Sequence, residues 1–212
     1  MPRPSNTAER RTQVARALLR VMAKTGYERA SVADVAKVAK IAPGLVHYHF
    51  KNKLEILLAA VDELAKDYDE RLARHLKTAD GNPARELQVF IDAHLHAGSE
   101  ADPQALACWI DISGEALRDS QVKKAFARVI AGSAERLRDI LERGTALELF
   151  ACDEPDVAAA ALIAAIQGYF LLGATARDVV PRGSAARAVM SMCEGLVVRG
   201  SATPAQRRRG KR

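Results

Sequence analysis

Apolar residues recur at helical spacing along most of the chain, and the breaks between runs carry Gly, Pro, Asn or Asp. From Thr7, a good N-cap, Val14, Leu18, Val21 and Met22 fall on one face of a first helix that ends at Gly26, a residue suited to the C′ position. Residues 27–30 lead to Ser31, another N-cap, with Asp34 in the capping-box position. Val35, Ala36, Val38 and Ala39 give this second helix its apolar stripe. After Lys40, Ile41 and Ala42 comes Pro43, which fits the first turn of a new helix because its missing N–H would have no partner there. A short third helix follows over 43–50. The fourth begins near Asn52 and carries Ile56, Leu57, Ala60, Val61, Leu64 and Tyr68 at helical spacing up to the break at 78–83. At about 1.5 Å per residue it spans more than ~30 Å, enough to join two parts of a molecule mechanically. Further helices are expected over 84–98, 104–118, 121–149, 155–180 and 184–198, giving an all-α chain of about nine helices.

The second and third helices, joined by about four residues, match a helix-turn-helix, whose second helix enters the DNA major groove. The same spacing fits an αα-hairpin in a helical core, and spacing alone leaves the two open. Charge changes the balance. Residues 1–53 hold 11 Lys/Arg against 3 Asp/Glu, residues 54–198 hold 15 against 23, and residues 199–212 hold 6 against none. A basic head on an acidic body is the asymmetry expected when one part meets a polyanion and the rest must avoid it. The domains read as a head over 1–53, opened by a short disordered arm, a body over 54–198, and a disordered basic tail over 199–212.

Cys108, Cys152 and Cys193 lie far apart and form no CxxC pair, which suggests neither a zinc site nor a disulfide framework. No signal-like N-terminus appears, and no stretch reaches about 18 uninterrupted apolar residues. The most apolar segment, 157–176, is broken by Gln167, Tyr169 and Thr175 and reads as a buried or interface helix. A cytoplasmic protein without membrane contact is expected. The pairs His47/His49 and His94/His96 stand two apart, roughly 200° around a helix, so neither pair can chelate one ion. No metal or cofactor is implied.

Helix one, SVADVAKVAKIA and PGLVHYHFKNKLEILL together resemble the DNA-binding head of the TetR family of bacterial transcriptional regulators. Gly44, the aromatic pair ending in Phe50, and Lys53 opening the fourth helix stand where that family's pattern places them. Within the body, CWIDISGEAL and GYFLLGATARD resemble the betaine-inhibitor-like branch. Two positions depart from the pattern. Lys40 occupies a turn position where Gly is common, and positive φ there carries strain of about 1 kcal/mol. His47 stands where the family often has Tyr, with Tyr48 beside it, which leaves the main phosphate contact open between the two.

The resemblance implies a ligand-responsive repressor. The third helix lies in the major groove, with Val46 and Phe50 turned inward. Thr25, Ser31, Ala42, Pro43, Gly44, Leu45, His47, Tyr48, His49 and Lys53 face DNA; phosphate contacts set register, and a few side chains of 42–48 read sequence. A small-molecule effector binds among the body helices, where an apolar pocket with a few polar groups is needed. His94, Trp109, Asp111, Phe126 and Gln167 are expected to line it, although Trp109 with Phe90, Phe126, Tyr169 and Phe170 also fits an ordinary core. Small residues over 158–176 and 185–196 permit close packing of the last two helices into a homodimer. Two heads on one face then imply an inverted-repeat operator with half-sites about one helical turn or a little more apart.

Two rival readings remain at this stage. One is a helical enzyme, although GxSxG, P-loop, HExxH and GxGxxG motifs are all missing from the sequence. The other is a helical adaptor whose basic head binds acidic protein.

Overall fold

In a computed structural model, residues 6–95 and 103–197 are described, and they form nine α-helices without a strand among them. These are α1 (Asn6–Thr25), α2 (Val32–Ala39), α3 (Pro43–His49), α4 (Lys53–Leu76), α5 (Pro83–Leu95), α6 (Pro103–Glu115), α7 (Ser120–Ala146), α8 (Pro155–Thr175) and α9 (Ala185–Leu196). Short 3-10 turns follow α4 and α8. The N-terminal arm, the end of the expected 84–98 helix with His96, and the basic tail lie outside the described residues.

Local chemistry sets the helix ends, and several differ from the sequence expectation. Thr7 falls inside α1 rather than capping it. Asn82 accepts from the amides of Ala84 at 3.0 Å and Arg85 at 3.2 Å, so α5 starts at Pro83, one residue early. Asp119 does the same for Gln121 and Val122 at the start of α7. α8 stops at Thr175, short of 180, because Ala176 leaves helical geometry and a 3-10 turn over Arg177–Val179 takes over.

The expected turn geometry is present at both ends of α2. Ser31 Oγ accepts from Asp34 N at 3.1 Å, and the Asp34 carboxylate returns the bond to Ser31 N, completing a capping box. At the other end Lys40 sits at φ 56° and ψ 44°, in the left-handed region. Ile41 N donates to Ala36 O at 3.1 Å and Lys40 N to Lys37 O at 3.2 Å, the two bonds of a Schellman motif. That pair of bonds holds a lysine where glycine would sit without steric cost.

Two apolar clusters fill the interior. The first gathers α1, α2 and α3 with Ile56, Leu57, Ala60 and Val61 of α4, and it runs past residue 53 to include Cys108 and Ile112 of α6, Ala116 just beyond it, and Val122 and Ala125 of α7. The second packs Leu72, Phe90, Ile91, Leu137, Ile140, Leu141, Leu162, Ile166, Val189 and Cys193 from α4, α5, α7, α8 and α9. α4 contributes to both and is the only helix that carries buried residues of each along with α7. α8 is apolar on every side, yet only 28% of its most hydrophobic stretch is buried within the chain.

Replacing Lys40 by Gly is expected to raise the urea midpoint by the equivalent of up to about 1 kcal/mol, because it removes the left-handed strain, less the entropy that glycine adds to the unfolded chain. Lys40→Val, β-branched at positive φ, is expected to lower the midpoint.

Candidate nucleic-acid interface and interior cavity

α3 turns Val46 and the following Phe50 into the core, each about 1% exposed, and presents the rest outward. Ala42, Pro43, Gly44, Leu45 and His47 are exposed, and Tyr48 is 78% exposed. No hydrogen bond among the described residues occupies the His47 ring or the Tyr48 hydroxyl, so both are available at the same surface. His49 is half-buried, edge-on to Tyr48 at 5.0 Å between ring centroids. Arg11 of α1 fixes the end of α3, donating to the His49 carbonyl and standing 4.1 Å over the Phe50 ring. Sequence reading did not single out Arg11; its place is set by a contact between residues 38 apart, which spacing within one helix cannot show.

The remaining expected DNA-facing residues divide by what their polar atoms already do. Thr25 and Ser31 are exposed, but the Thr25 hydroxyl donates to Val21 O at 3.1 Å and Ser31 is engaged in the capping box. Lys53 also serves the head internally. Its ammonium donates to Tyr27 O at 2.9 Å and Glu28 O at 3.1 Å and lies 4.3 Å over the Tyr27 ring, so it staples the α1–α2 link, with one of its three N–H donors left over. Lys40 and Lys51 are the exposed lysines that flank α3 on either side.

A cavity of about 320 Å³ opens between α4, α5, α6, α7 and α8. Leu64, Leu106, Val129, Ile130 and Phe170 make its apolar wall, and Tyr68, Arg71, His94, Trp109, Ser133 and Gln167 supply polar groups. Trp109 Nε1 donates to Gln167 Oε1 at 2.9 Å across α6 and α8. Three of the five residues expected to line a pocket, His94, Trp109 and Gln167, therefore meet here. A second cavity of about 360 Å³ lies against Arg177, Val180, Pro181 and Arg182 at the α8–α9 junction and holds none of the five.

Phe126 and Asp111 are corrections. Phe126 stands behind Trp109, rings 4.7 Å apart, and belongs to the apolar cluster on the head side. Asp111 points the other way round α6, where Oδ2 accepts from Tyr27 N at 2.5 Å. Residues two apart on a helix face nearly opposite directions, so Trp109 and Asp111 cannot share one cavity. The consequence is that α6 carries a cavity residue and a head contact on opposite sides. Cys108 adds a second head contact, its Sγ 3.2 Å from Leu19 O.

His94 is the one buried polar side chain among the described residues. Its Nδ1 lies 2.8 Å from Phe90 O and 2.8 Å from the Tyr68 hydroxyl. A carbonyl can only accept, which puts the proton on Nδ1 and leaves the Tyr68 O–H free to donate. Burial, assisted by the Arg71 and Arg136 guanidinium groups, pushes the imidazole down to about 4 and keeps it neutral.

Residues 15–60 match the family described as bacterial regulatory proteins, tetR family, and residues 83–198, more than half the chain, match the BetI-type transcriptional repressor C-terminal family. The chain belongs to the TetR family. The BetI transcriptional regulator of Rhizobium meliloti is 26% identical over 171 residues, 81% of this chain and 81% of that protein. A TetR-family regulator from Rhodococcus sp. superposes with a TM-score of 0.76 at 19% identity, covering 90% of this chain and all of the other. A transcriptional regulator from Saccharomonospora viridis, crystallised with choline, gives 0.71 at 18% identity over 89% of this chain and 95% of its own. Like other TetR regulators, this protein is a DNA-binding transcriptional regulator with a helix-turn-helix head and a ligand-binding C-terminal region. Neither the adaptor nor the enzyme reading gains support from these matches.

The buried imidazole of this TetR protein makes a pH prediction. With a folded pKa near 4 against an ordinary value of 6.5, the unfolded chain binds the proton more readily, so stability is full above about pH 7 and falls as pH drops towards 4. Between pH 7 and 5 the loss is about 2 kcal/mol. Urea unfolding at the two pH values should show this loss, and His94→Gln should remove most of the difference.

Proposed function

We propose that this protein is a repressor that two heads of a homodimer hold on an inverted-repeat operator, and that a small molecule in the α4–α8 cavity releases it. The observation that carries the reading is the double duty of α6 and α4. Trp109 lines the cavity while Asp111, two residues on, holds the amide that opens the α1–α2 link. On α4, Tyr68 and Asp67 line the cavity, and Asp67 with Glu63 is ion-paired to Arg16 of α1 at 2.8 and 3.0 Å. A ligand that fits the cavity better with α4 or α6 displaced shifts the population towards a state in which the head is carried by a different geometry. The ligand-free state needs no strain for this, only a difference in affinity between the two arrangements.

Within the head, Ala42–Leu45, His47 and Tyr48 form the reading surface, with Lys40 and Lys51 as flanking cations. The few hydrogen-bonding groups on α3 give thymine methyl contact by Pro43 and Leu45 a share in sequence readout. Choline in the S. viridis neighbour makes a small organic effector reasonable here as well.

The exposed stripe of α8 supports the homodimer. Val157, Ala160, Ala161, Ala164, Gly168, Leu171 and Leu172 are exposed at helical spacing, and Met192 and Leu196 of α9 are 51% and 41% exposed. Small residues flanked by larger apolar ones make a flat face that water covers poorly, and a second copy would bury it.

Binding to duplex from the gene's own upstream region should be far tighter than to random duplex at about 150 mM salt, read by fluorescence anisotropy; equal affinities would refute the repressor reading. Ala164→Glu places a charge on the exposed face of α8 without touching the core. It should leave helicity unchanged, halve the mass in sedimentation and weaken operator binding at least tenfold, because one head then binds without the other.

A further inference from the structure

The cavity's charge is unbalanced. Asp67 is the only carboxylate among its lining residues, and Arg16 of α1 pairs with it at 2.8 Å. Arg71 is the only cation lining it, and among the described residues it has no ion pair. Its Nε is buried without a hydrogen-bond partner. The neighbouring charges do not fill that gap: Asp69 is paired with Arg136 at 3.0 Å. Beside this donor stand the Tyr68 hydroxyl, whose proton the His94 tautomer leaves free, and the Ser133 side chain. Donors and one positive charge without an ion pair thus line the cavity together with Trp109, Phe170 and aliphatic side chains.

A cation would find poor terms here. Cation–π recognition needs open aromatic faces, and a free carboxylate would add to it. The Arg71 guanidinium carbon stands 5.6 Å from the centre of the Tyr68 ring, His94 packs on Tyr68 at 4.5 Å, and Phe126 stands against Trp109 at 4.7 Å. The acid is already neutralised by Arg16. An anion, by contrast, would pair the guanidinium and accept from Tyr68.

We infer that the cavity takes an organic anion, a carboxylate on a small apolar or aromatic body, with Arg71 as its counter-ion. The inference rests on the reading of this cavity as the effector site, and it names the chemical class of that effector. The carboxylate lies against Arg71 and Tyr68, and the body lies against Trp109 and Phe170.

Trp109 is the chain's only tryptophan, so its fluorescence reports on this cavity alone. The full-length protein should be titrated with 3-phenylpropionate, 3-phenylpropionamide, 3-phenylpropylamine and choline, and with octanoate, octanamide and octylamine as a second body. The acids are expected to change Trp109 emission at concentrations about tenfold to a hundredfold below those of their amides, with the amines and choline weaker still. Arg71→Gln should bring acid and amide to equal affinity, and Arg71→Lys, which keeps the charge but loses the planar donor, should retain part of the preference. The Lys variant keeps the test open should the Gln variant fold poorly. An amine or choline that binds more tightly than the acids, or an acid preference unchanged in both variants, overturns the inference. If an amine or choline also weakens operator binding in anisotropy, the effector reading of the cavity stands while the anion assignment falls. If no ligand of any charge alters Trp109 emission, both fall.

Discussion

The α1–α2 link is gripped from two sides, and the placement of the whole head depends on that grip. Asp111 of α6 accepts from the Tyr27 amide, and Lys53 at the start of α4 donates to the Tyr27 and Glu28 carbonyls. Most backbone groups in the six-residue link over 26–31 lie outside any helical ladder, and leaving one unpaired in a half-buried place costs about 1–3 kcal/mol. The polar side chains that answer them come from the two helices that also line the cavity. Gly26, at φ 77°, opens the link and lets the chain turn beneath Asp111, whose Oδ2 would stand 3.8 Å from any added Cβ. Head position and cavity shape are therefore linked by two rigid helices, with no flexible connector between them.

That grip gives a physical meaning to the shared core. An apolar cluster running from α1 through α4 to α6 and α7 keeps the head from swinging freely on residue 53. Motion of α4 or α6 by a fraction of a turn must be passed on to α1, because close-packed side chains have a few discrete arrangements and resist continuous deformation. The Arg16 pairs with Glu63 and Asp67 lie on the outer edge of the same contact, largely exposed on the Arg16 and Asp67 sides, where they set orientation more than stability.

The cavity follows a different logic from the core around it. His94 and Tyr68 are bonded to each other inside an otherwise apolar cluster, and the imidazole is kept neutral by burial and by nearby guanidinium groups. A core built only for stability has little use for a buried histidine, a paired indole and amide, and an arginine without a partner in one place. Those groups are the sparse polar complement that the proposed effector site requires.

Much of this was written locally in the chain. The 3.6-residue period, the Ser31–Asp34 capping box, Pro43 at N1 and the charge division are short-range facts, and from them the run of about nine helices could be read in advance; the helix-turn-helix reading and the inward turn of Val46 and Phe50 came with the resemblance to the TetR head. Even the strained turn at Lys40 was visible as a lysine in a glycine place. What the sequence could not decide was where each helix points its polar groups. Lys53 has the charge of a phosphate ligand, and two of its donors also go to carbonyls 25 and 26 residues away, which spacing along the chain cannot show. Asp111 and Phe126 have the chemistry of a pocket, but the rotation of α6 and α7 turns them towards the head and the back of Trp109. Arg71, on a stretch of α4 rich in both charges, lines the cavity. Periodicity fixes the angle between residues on one helix; only packing against the others fixes which way that helix is turned, and the cavity and its link to the head are consequences of that rotation.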